Sequence, residues 1–110
     1  MYEIKTLREV CDSLDVTRRA VQGYEKAGLV CAVGRNKYGH LLYDGVAQER
    51  IARIRFYQNL GFSIREIAEL MDAPELVVKE ALSKRVAGLQ EEQKVKDALI
   101  RKAQELIGML

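Results

Sequence analysis

Apolar positions recur along most of this chain with the period of a helix. In T-L-R-E-V-C-D-S-L (residues 6–14), Leu7, Val10, Cys11 and Leu14 follow the i, i+3, i+4, i+7 spacing that gathers side chains on one buried face. Thr6 stands ahead of the run as an N-cap, with Glu9 three residues on to complete a capping box. Asp15 and Val16 leave room only for a tight turn before a second amphipathic run, V-T-R-R-A-V-Q-G-Y-E-K-A-G-L-V (residues 16–30). Thr17 is its N-cap and Gly28 its stop. Ala20, Val21 and Tyr24 point inward from this helix, and Arg18, Arg19 and Gln22 point outward. Two short helices joined this way make a helix-turn-helix unit, which serves DNA binding but also occurs in small helical bundles.

Residues 31–44, C-A-V-G-R-N-K-Y-G-H-L-L-Y-D, break the period. β-formers surround a turn-prone Asn36-Lys37, and Gly34 and Gly39 punctuate the stretch, which predicts a β-hairpin with its tip near 36–39. Arg35, Lys37 and His40 fall on or near the tip. Beside a helix-turn-helix, such a basic, aromatic hairpin is a wing, which can reach the phosphate backbone or the minor groove. The alternative is a hairpin that closes the core edge, with Tyr38 and Tyr43 packing; Tyr43 reads as core and the Arg35–His40 tip as phosphate-facing. Residues 2–4 read as a short extended lead-in to the first helix.

From Val46 the helical period returns, with Ala47, Ile51, Ile54 and Leu60 inward, Arg50, Arg53 and Arg55 on other faces, and Gly61 as the stop. Ser63 opens the next helix with Glu66 in a second capping box, burying Ile64, Ile67, Ala68 and Met71. Pro74 begins a last helix, where its missing N–H costs nothing. In that helix Leu82, Val86, Leu89, Gln93, Lys96, Ile100, Ala103 and Ile107 alternate by four and three, a heptad seam with its two polar members in the middle. Nothing else in the chain is left to cover this seam, so it predicts a homodimer. In an antiparallel pair with its two-fold axis near 93–96, the polar residues would meet at the centre and fix register. The other reading is a helix folded back on its own domain. The fold class expected is mainly α: a winged helix-turn-helix domain over residues 1–73 and a coiled-coil dimerisation helix over 74–110.

Charge and composition narrow the function. The net charge of +2 conceals an excess of eight basic over three acidic residues between positions 16 and 57, a modest footprint for nucleic acid. No apolar run approaches the ~20 residues of a membrane span, and no charged-then-apolar leader opens the chain, so a cytoplasmic protein is expected. Cys11 and Cys31, the only cysteines, lack C-x-x-C spacing and read as a packed thiol and a free one, and His40 has no partner ligands in sequence, so neither metal nor cofactor is expected. One histidine, no glycine-rich phosphate loop and no paired carboxylates on a cleft leave nothing to perform catalysis.

Taken in order, these motifs resemble the MerR family of bacterial transcription regulators. The likeness rests on residues 16–30, on the wing with G-H-L-L-Y-D, and above all on R-I-R-F-Y-Q-N-L-G-F-S-I-R-E-I-A-E-L (residues 53–70). It implies a dimer on a palindromic operator that distorts over-spaced promoter DNA so that RNA polymerase engages it. By position it makes Thr17, Arg18 and Arg19 the opening of the recognition helix, with Gln22 on its outer face. It further makes Tyr24 the phosphate-contacting aromatic, places Arg35, Lys37 and His40 in the wing, and lets Arg53 add a backbone contact. The chain departs from the pattern where Gln22 and Gly23 replace the usual Arg-Tyr, and where His40-Leu41 replaces an aromatic-Arg pair. The family's metal sensors carry cysteines at the end of the dimer helix and beyond, and none follows Cys31 here; no separate ligand domain is expected either. A MerR-like interaction module with weakened DNA binding, and a DNA-architectural factor, are the competing expectations.

Overall fold

The computed structural model describes residues 3–110, so the Tyr2 end of the expected lead-in lies outside the described residues. The chain divides into two compact units, Met1–Asp72 and Ala73–Leu110.

The first unit runs β1 (Lys5–Thr6), α1 (Leu7–Leu14), α2 (Arg18–Lys26), β2 (Gly34–Arg35), β3 (Leu41–Tyr43), α3 (Gly45–Leu60) and α4 (Ile64–Met71). Local chemistry sets most of these bounds. Thr6 and Ser63 both form full capping boxes with Glu9 and Glu66. Each carboxyl is thereby held below its usual pKa, chiefly by the backbone N–H of its cap residue. The Thr17 hydroxyl accepts from the Ala20 N–H at 3.0 Å. Gly28 and Gly61 close α2 and α3 with φ of 76° and 106°, a left-handed conformation that favours glycine. Asp15 adopts φ 50° and ψ 53° as the C-cap of α1, which compresses the helix-turn-helix turn into a few residues. The Asp44 carboxylate caps α3 through the Ala47 N–H, so that helix begins one residue earlier than the apolar period indicates.

The sheet is larger than the expected hairpin. Its order is β1-β3-β2, all antiparallel, with Lys5 opposite Tyr43 and Thr6 opposite Leu42 on one side, and Gly34 opposite Leu42 and Arg35 opposite Leu41 on the other. The start of the chain is thus sewn onto the returning strand of the hairpin, and β3 becomes central.

The core gathers Leu7, Val10, Val21, Tyr24, Tyr43, Ile51, Ile54 and Ile67. Full burial of a branched aliphatic side chain is worth about 1.5–3 kcal/mol, so α1, α2, α3 and α4 are held by their inward stripes. One expectation fails in detail, and one burial was not anticipated. Ala68 is exposed while Leu70 is buried, because the stripe of α4 runs through Ile67, Leu70 and Met71. Gln48, polar and unremarked in the sequence, is 1% exposed. Its amide Nε2 donates to the Glu3 carbonyl at 2.5 Å and to the Tyr43 carbonyl at 2.9 Å, which ties the lead-in, β3 and α3 together.

The second unit is α5 (Glu75–Met109), with Pro74 as the residue before its first turn. An Arg85–Glu92 ion pair at 2.9 Å bridges two of its turns. Every residue from 90 onward is exposed. Of the seam, Val86, Ile100 and Ile107 are large exposed apolar side chains, while Leu82 and Leu89 are half-buried. A second exposed row, Val95, Leu99 and Leu106, spaced by four and seven, runs beside the seam and widens the apolar face.

Candidate nucleic-acid interface

Arg18, Arg19 and Gln22 project from the first turns of α2 into solvent because Val21 and Tyr24 occupy its inner face. The wing opposite them is shaped by one side chain. The Asn36 carboxamide Oδ1 accepts from the backbone N–H groups of Tyr38 and His40 at 2.9 and 3.0 Å, and Gly39 turns the tip at φ 82°. Arg35 Nη1 donates to the Gly39 carbonyl at 2.7 Å, which spans the base of the tip. Lys37 lies 5.2 Å from the Tyr38 ring centroid, with His40 stacked obliquely at 6.3 Å from the same ring. Tyr38 is 71% exposed. Tyr38 therefore does not pack in the core, as the alternative reading of the hairpin has it; it stands with the exposed Arg35–His40 tip, beside Lys37 and His40.

Helix and wing meet across a cleft of about 490 Å³. Arg18 and Gln22 of α2, Arg35 and His40 of the wing, and Arg8 of α1 line it, and no carboxylate does. Among the described residues neither Arg8 nor Arg18 enters an ion pair; the ion pairs present are Arg50–Asp72, Arg85–Glu92 and Glu91–Lys94. Three arginines and no carboxylate line the cleft, which suits an anion with oxygens on several sides. Arg19 and Lys37 are exposed but lie outside its lining.

Two of the predicted contacts sit elsewhere. Tyr24 is 1% exposed and its hydroxyl donates to Gln58 Oε1 at 2.5 Å, so it joins α2 to α3 and is not presented to a phosphate. Its inward position on the helix is the part of the sequence reading that holds. Burial raises its phenol pKa, against the opposing charge of Arg55. Arg53, on α3, is exposed; its Nε donates to the Tyr57 hydroxyl at 3.1 Å and its guanidinium carbon lies 5.8 Å from that ring, away from the cleft. Arg50 is structural, with Nε donating to the Leu29 carbonyl at 2.7 Å and Nη1 3.5 Å from Asp72.

Arg8 was missed by sequence reasoning. The buried Leu7 and Val10 signalled that it faces outward, but not toward what; the pairing of β1 with β3 decides that. No group of three or more His, Cys, Asp or Glu that could hold a metal ion occurs among the described residues. No helix among them is long and apolar enough to cross a membrane.

Comparison with known proteins places these features in context. Residues 5–74 match the model of the MerR HTH family regulatory proteins, and residues 48–108 match the MerR, DNA binding model. Nodulation protein NolA of Bradyrhizobium diazoefficiens is 38% identical over 64 residues, covering 58% of this chain and 27% of that protein. The HTH-type transcriptional activator TipA of Streptomyces coelicolor is 35% identical over 66 residues, 60% of this chain and 26% of its own length. The activator mta of Bacillus subtilis aligns over 99% of this chain at 28% identity and 37% of its own length. The chain thus spans about a quarter of the first two relatives and little over a third of the third. In three dimensions, a MerR family transcriptional regulator from Bacillus cereus superposes with a TM-score of 0.75 at 24% identity, covering 94% of this chain and 79% of the other. HiNmlR, a MerR family regulator lacking the sensor domain and bound to promoter DNA, gives 0.70 at 21% identity, with 91% and 87% covered. At these identities the likeness is one of fold.

Proposed function

The chain belongs to the MerR family of helix-turn-helix regulatory proteins, and from that footing we propose that it is a sequence-specific DNA-binding transcription regulator, acting as a homodimer on a palindromic promoter operator. The observation that carries this reading is the acid-free cleft in which Arg18 and Gln22 of α2 face Arg35 and His40 of the wing. Arg18, Arg19 and Gln22 enter the major groove, where guanidinium and amide groups read base edges. Arg35, Lys37 and His40 follow the backbone beside it, and Arg53 adds a peripheral phosphate contact. Thr17 positions the recognition helix by capping it.

The dimer is carried by α5. Leu82, Val86, Leu89, Gln93, Lys96, Ile100, Ala103 and Ile107 form the antiparallel seam, with Val95, Leu99 and Leu106 at its flank. These apolar side chains are exposed or half-buried in the single chain, and a patch of this extent marks an association surface. Two recognition helices related by the dimer axis then meet successive major grooves. Distortion of the DNA between them is how such a dimer would alter promoter geometry for RNA polymerase, in the cytoplasm, with no cofactor.

One titration tests the proposal. The protein is added to DNA from upstream of its own gene and to scrambled DNA at several salt concentrations, with light scattering on the free protein. The expected outcome is a dimer that prefers the upstream DNA and whose affinity falls steeply with salt. Equal, feeble binding to both DNAs refutes the regulator reading in favour of an interaction module, and a monomer refutes the seam.

A further inference from the structure

We propose that Arg8, at the start of α1, is a DNA-backbone contact, and that it completes a three-element phosphate clamp with Arg18 of α2 and Arg35 of the wing. The inference rests on the DNA-binding reading above and adds an element to it: α1, ordinarily the scaffold half of a helix-turn-helix, supplies a charge to the interface.

The geometry points this way through four observations. Leu7 and Val10 are both buried, so α1 has no freedom to roll, and Arg8 between them is held on the outer face. Thr6, directly ahead, pairs with Leu42 of β3, which fixes the first turn of α1 beside the wing's returning strand. Arg8 consequently shares a cleft with Leu41 and His40 on the wing side and with Arg18 and Gln22 on the helix side. It pairs with no carboxylate among the described residues: Glu9 is engaged by Thr6 through the capping box, and Asp12, one turn on, forms no ion pair with it. Arg8 is solvent-exposed yet lines the same cleft as the guanidinium groups of Arg18 and Arg35, and like charges gathered in this way favour an entering anion. Phosphate is the anion whose tetrahedral oxygens accept from guanidinium forks approaching from different sides. Gln22, polar but neutral, leaves the α2 wall of this cleft one charge short of what an arginine there would give, and Arg8 lines the same cleft.

The clamp is tested by salt-dependent DNA binding of the full chain and four variants: Arg8→Ala, Arg101→Ala as an equal charge change on α5 outside the cleft, Gln22→Arg, and the Arg8→Ala/Gln22→Arg double variant. Removing one phosphate contact lowers the slope of log K against log salt by about 0.9 and weakens binding roughly tenfold at moderate salt. Arg8→Ala is expected to show both losses on operator and scrambled DNA alike, with an unchanged melting temperature, because a phosphate contact carries no sequence information. Arg101→Ala is expected to leave the slope intact, and Gln22→Arg to restore it in the Arg8→Ala background by returning a guanidinium to the same cleft. Wild-type binding with a steep slope that Arg8→Ala does not change would overturn the clamp while leaving the regulator reading in place. A slope lost equally in Arg101→Ala would overturn it too, as an effect of net charge alone. A wild-type chain without salt-dependent DNA binding overturns both readings.

Discussion

Gly23 and Gly28 lie five residues apart, one inside a helix and one beyond its end, and the same substitution at the two is predicted to act with opposite sign. Gly23 is the sixth of nine residues in α2, exposed, with helical geometry, and its carbonyl accepts from the Ala27 N–H at 3.0 Å. A Cβ placed on it meets nothing within 4 Å. Gly23→Ala therefore brings no clash and no lost contact, only the reduced backbone freedom of the unfolded chain, worth about 0.4–1 kcal/mol of added stability. Gly28 also has open space around a built Cβ, but its φ is 76°. Alanine there must hold a left-handed conformation, which costs about 1–2 kcal/mol. Urea unfolding at fixed protein concentration reads both. With a slope of about 2 kcal/mol/M, Gly23→Ala should raise the midpoint by roughly 0.2–0.5 M and Gly28→Ala should lower it by roughly 0.5–1 M, each with its slope unchanged. In thermal melts these correspond to about 2–4 °C up and 4–8 °C down for a chain of this size. A Gly23→Ala midpoint at or below wild type would refute the reasoning, because it would mean that the helical backbone at 23 is needed for something other than helix. Shifts of the same sign at both sites would refute the assignment of Gly28 to a left-handed stop.

The buried tyrosines should make the fold sensitive to alkali. Tyr43 is fully buried and donates its hydroxyl to Glu25, and burial first, then that bond and the carboxylate charge, push its phenol pKa well above the ordinary range. Because the folded state keeps this proton longer than the unfolded chain, the stabilisation is complete below the unfolded pKa of about 10 and drains away as pH rises beyond it. Urea midpoints should fall above that pH in wild type and fall less in Tyr43→Phe; parallel curves would contradict the assignment. A second test concerns the amide that joins the lead-in to the sheet. Gln48→Ala strands the Glu3 and Tyr43 carbonyls and should cost about 1–3 kcal/mol from the lost bonds alone, whereas alanine at an exposed glutamine such as Gln90 should stay within about 0.5 kcal/mol. Equal costs would show that the Gln48 bonds are dispensable.

Features written in local sequence were legible, and those set by distant pairing were not. Three of the four side-chain N-caps, at Thr6, Thr17 and Ser63, the two glycine stops at Gly28 and Gly61, and the wing turn at 36–39 each depend on residues within four positions of one another. Strand β1 is only two residues long and has no alternation to read; it exists because Lys5 and Thr6 find Tyr43 and Leu42 some thirty-seven positions away. Gln48 carries no apolar signal, and its burial follows from the carbonyls it bonds rather than from helical period. The site divides the same way. Arg18, Arg19 and Gln22 were readable because the inward residues of their own helix leave them nowhere else to point. Arg8 was not readable, since its outward direction was local information but its destination was not. Tyr24 shows the opposite failure. Helical period places it inward, as found, while positional likeness alone placed it on a phosphate, and the geometry of its own helix is the stronger guide.

What holds the interface together is therefore not at the interface. The cleft is made by three elements whose exposed side chains never bond to one another across it, apart from the Arg35–Gly39 contact inside the wing. Their relative placement comes from beneath, and Tyr43 is where the ties converge. Its backbone stands opposite Lys5 in the register that orients α1, its carbonyl accepts from Gln48 of α3, and its hydroxyl is bound by Glu25 of α2. The strand it ends begins at Leu41 on the cleft wall. One buried residue, through its backbone and its phenol, thus couples α2, the first helix and the wing strand. In the proposed clamp Arg8, Arg18 and Arg35 serve one anion together only where their spacing is held, and the residues that set that spacing lie in the core. A loss at Tyr43 or Glu25 is accordingly predicted to weaken every phosphate contact of the proposed clamp together, whereas a loss at Arg8 is predicted to remove one contact and leave the others in place.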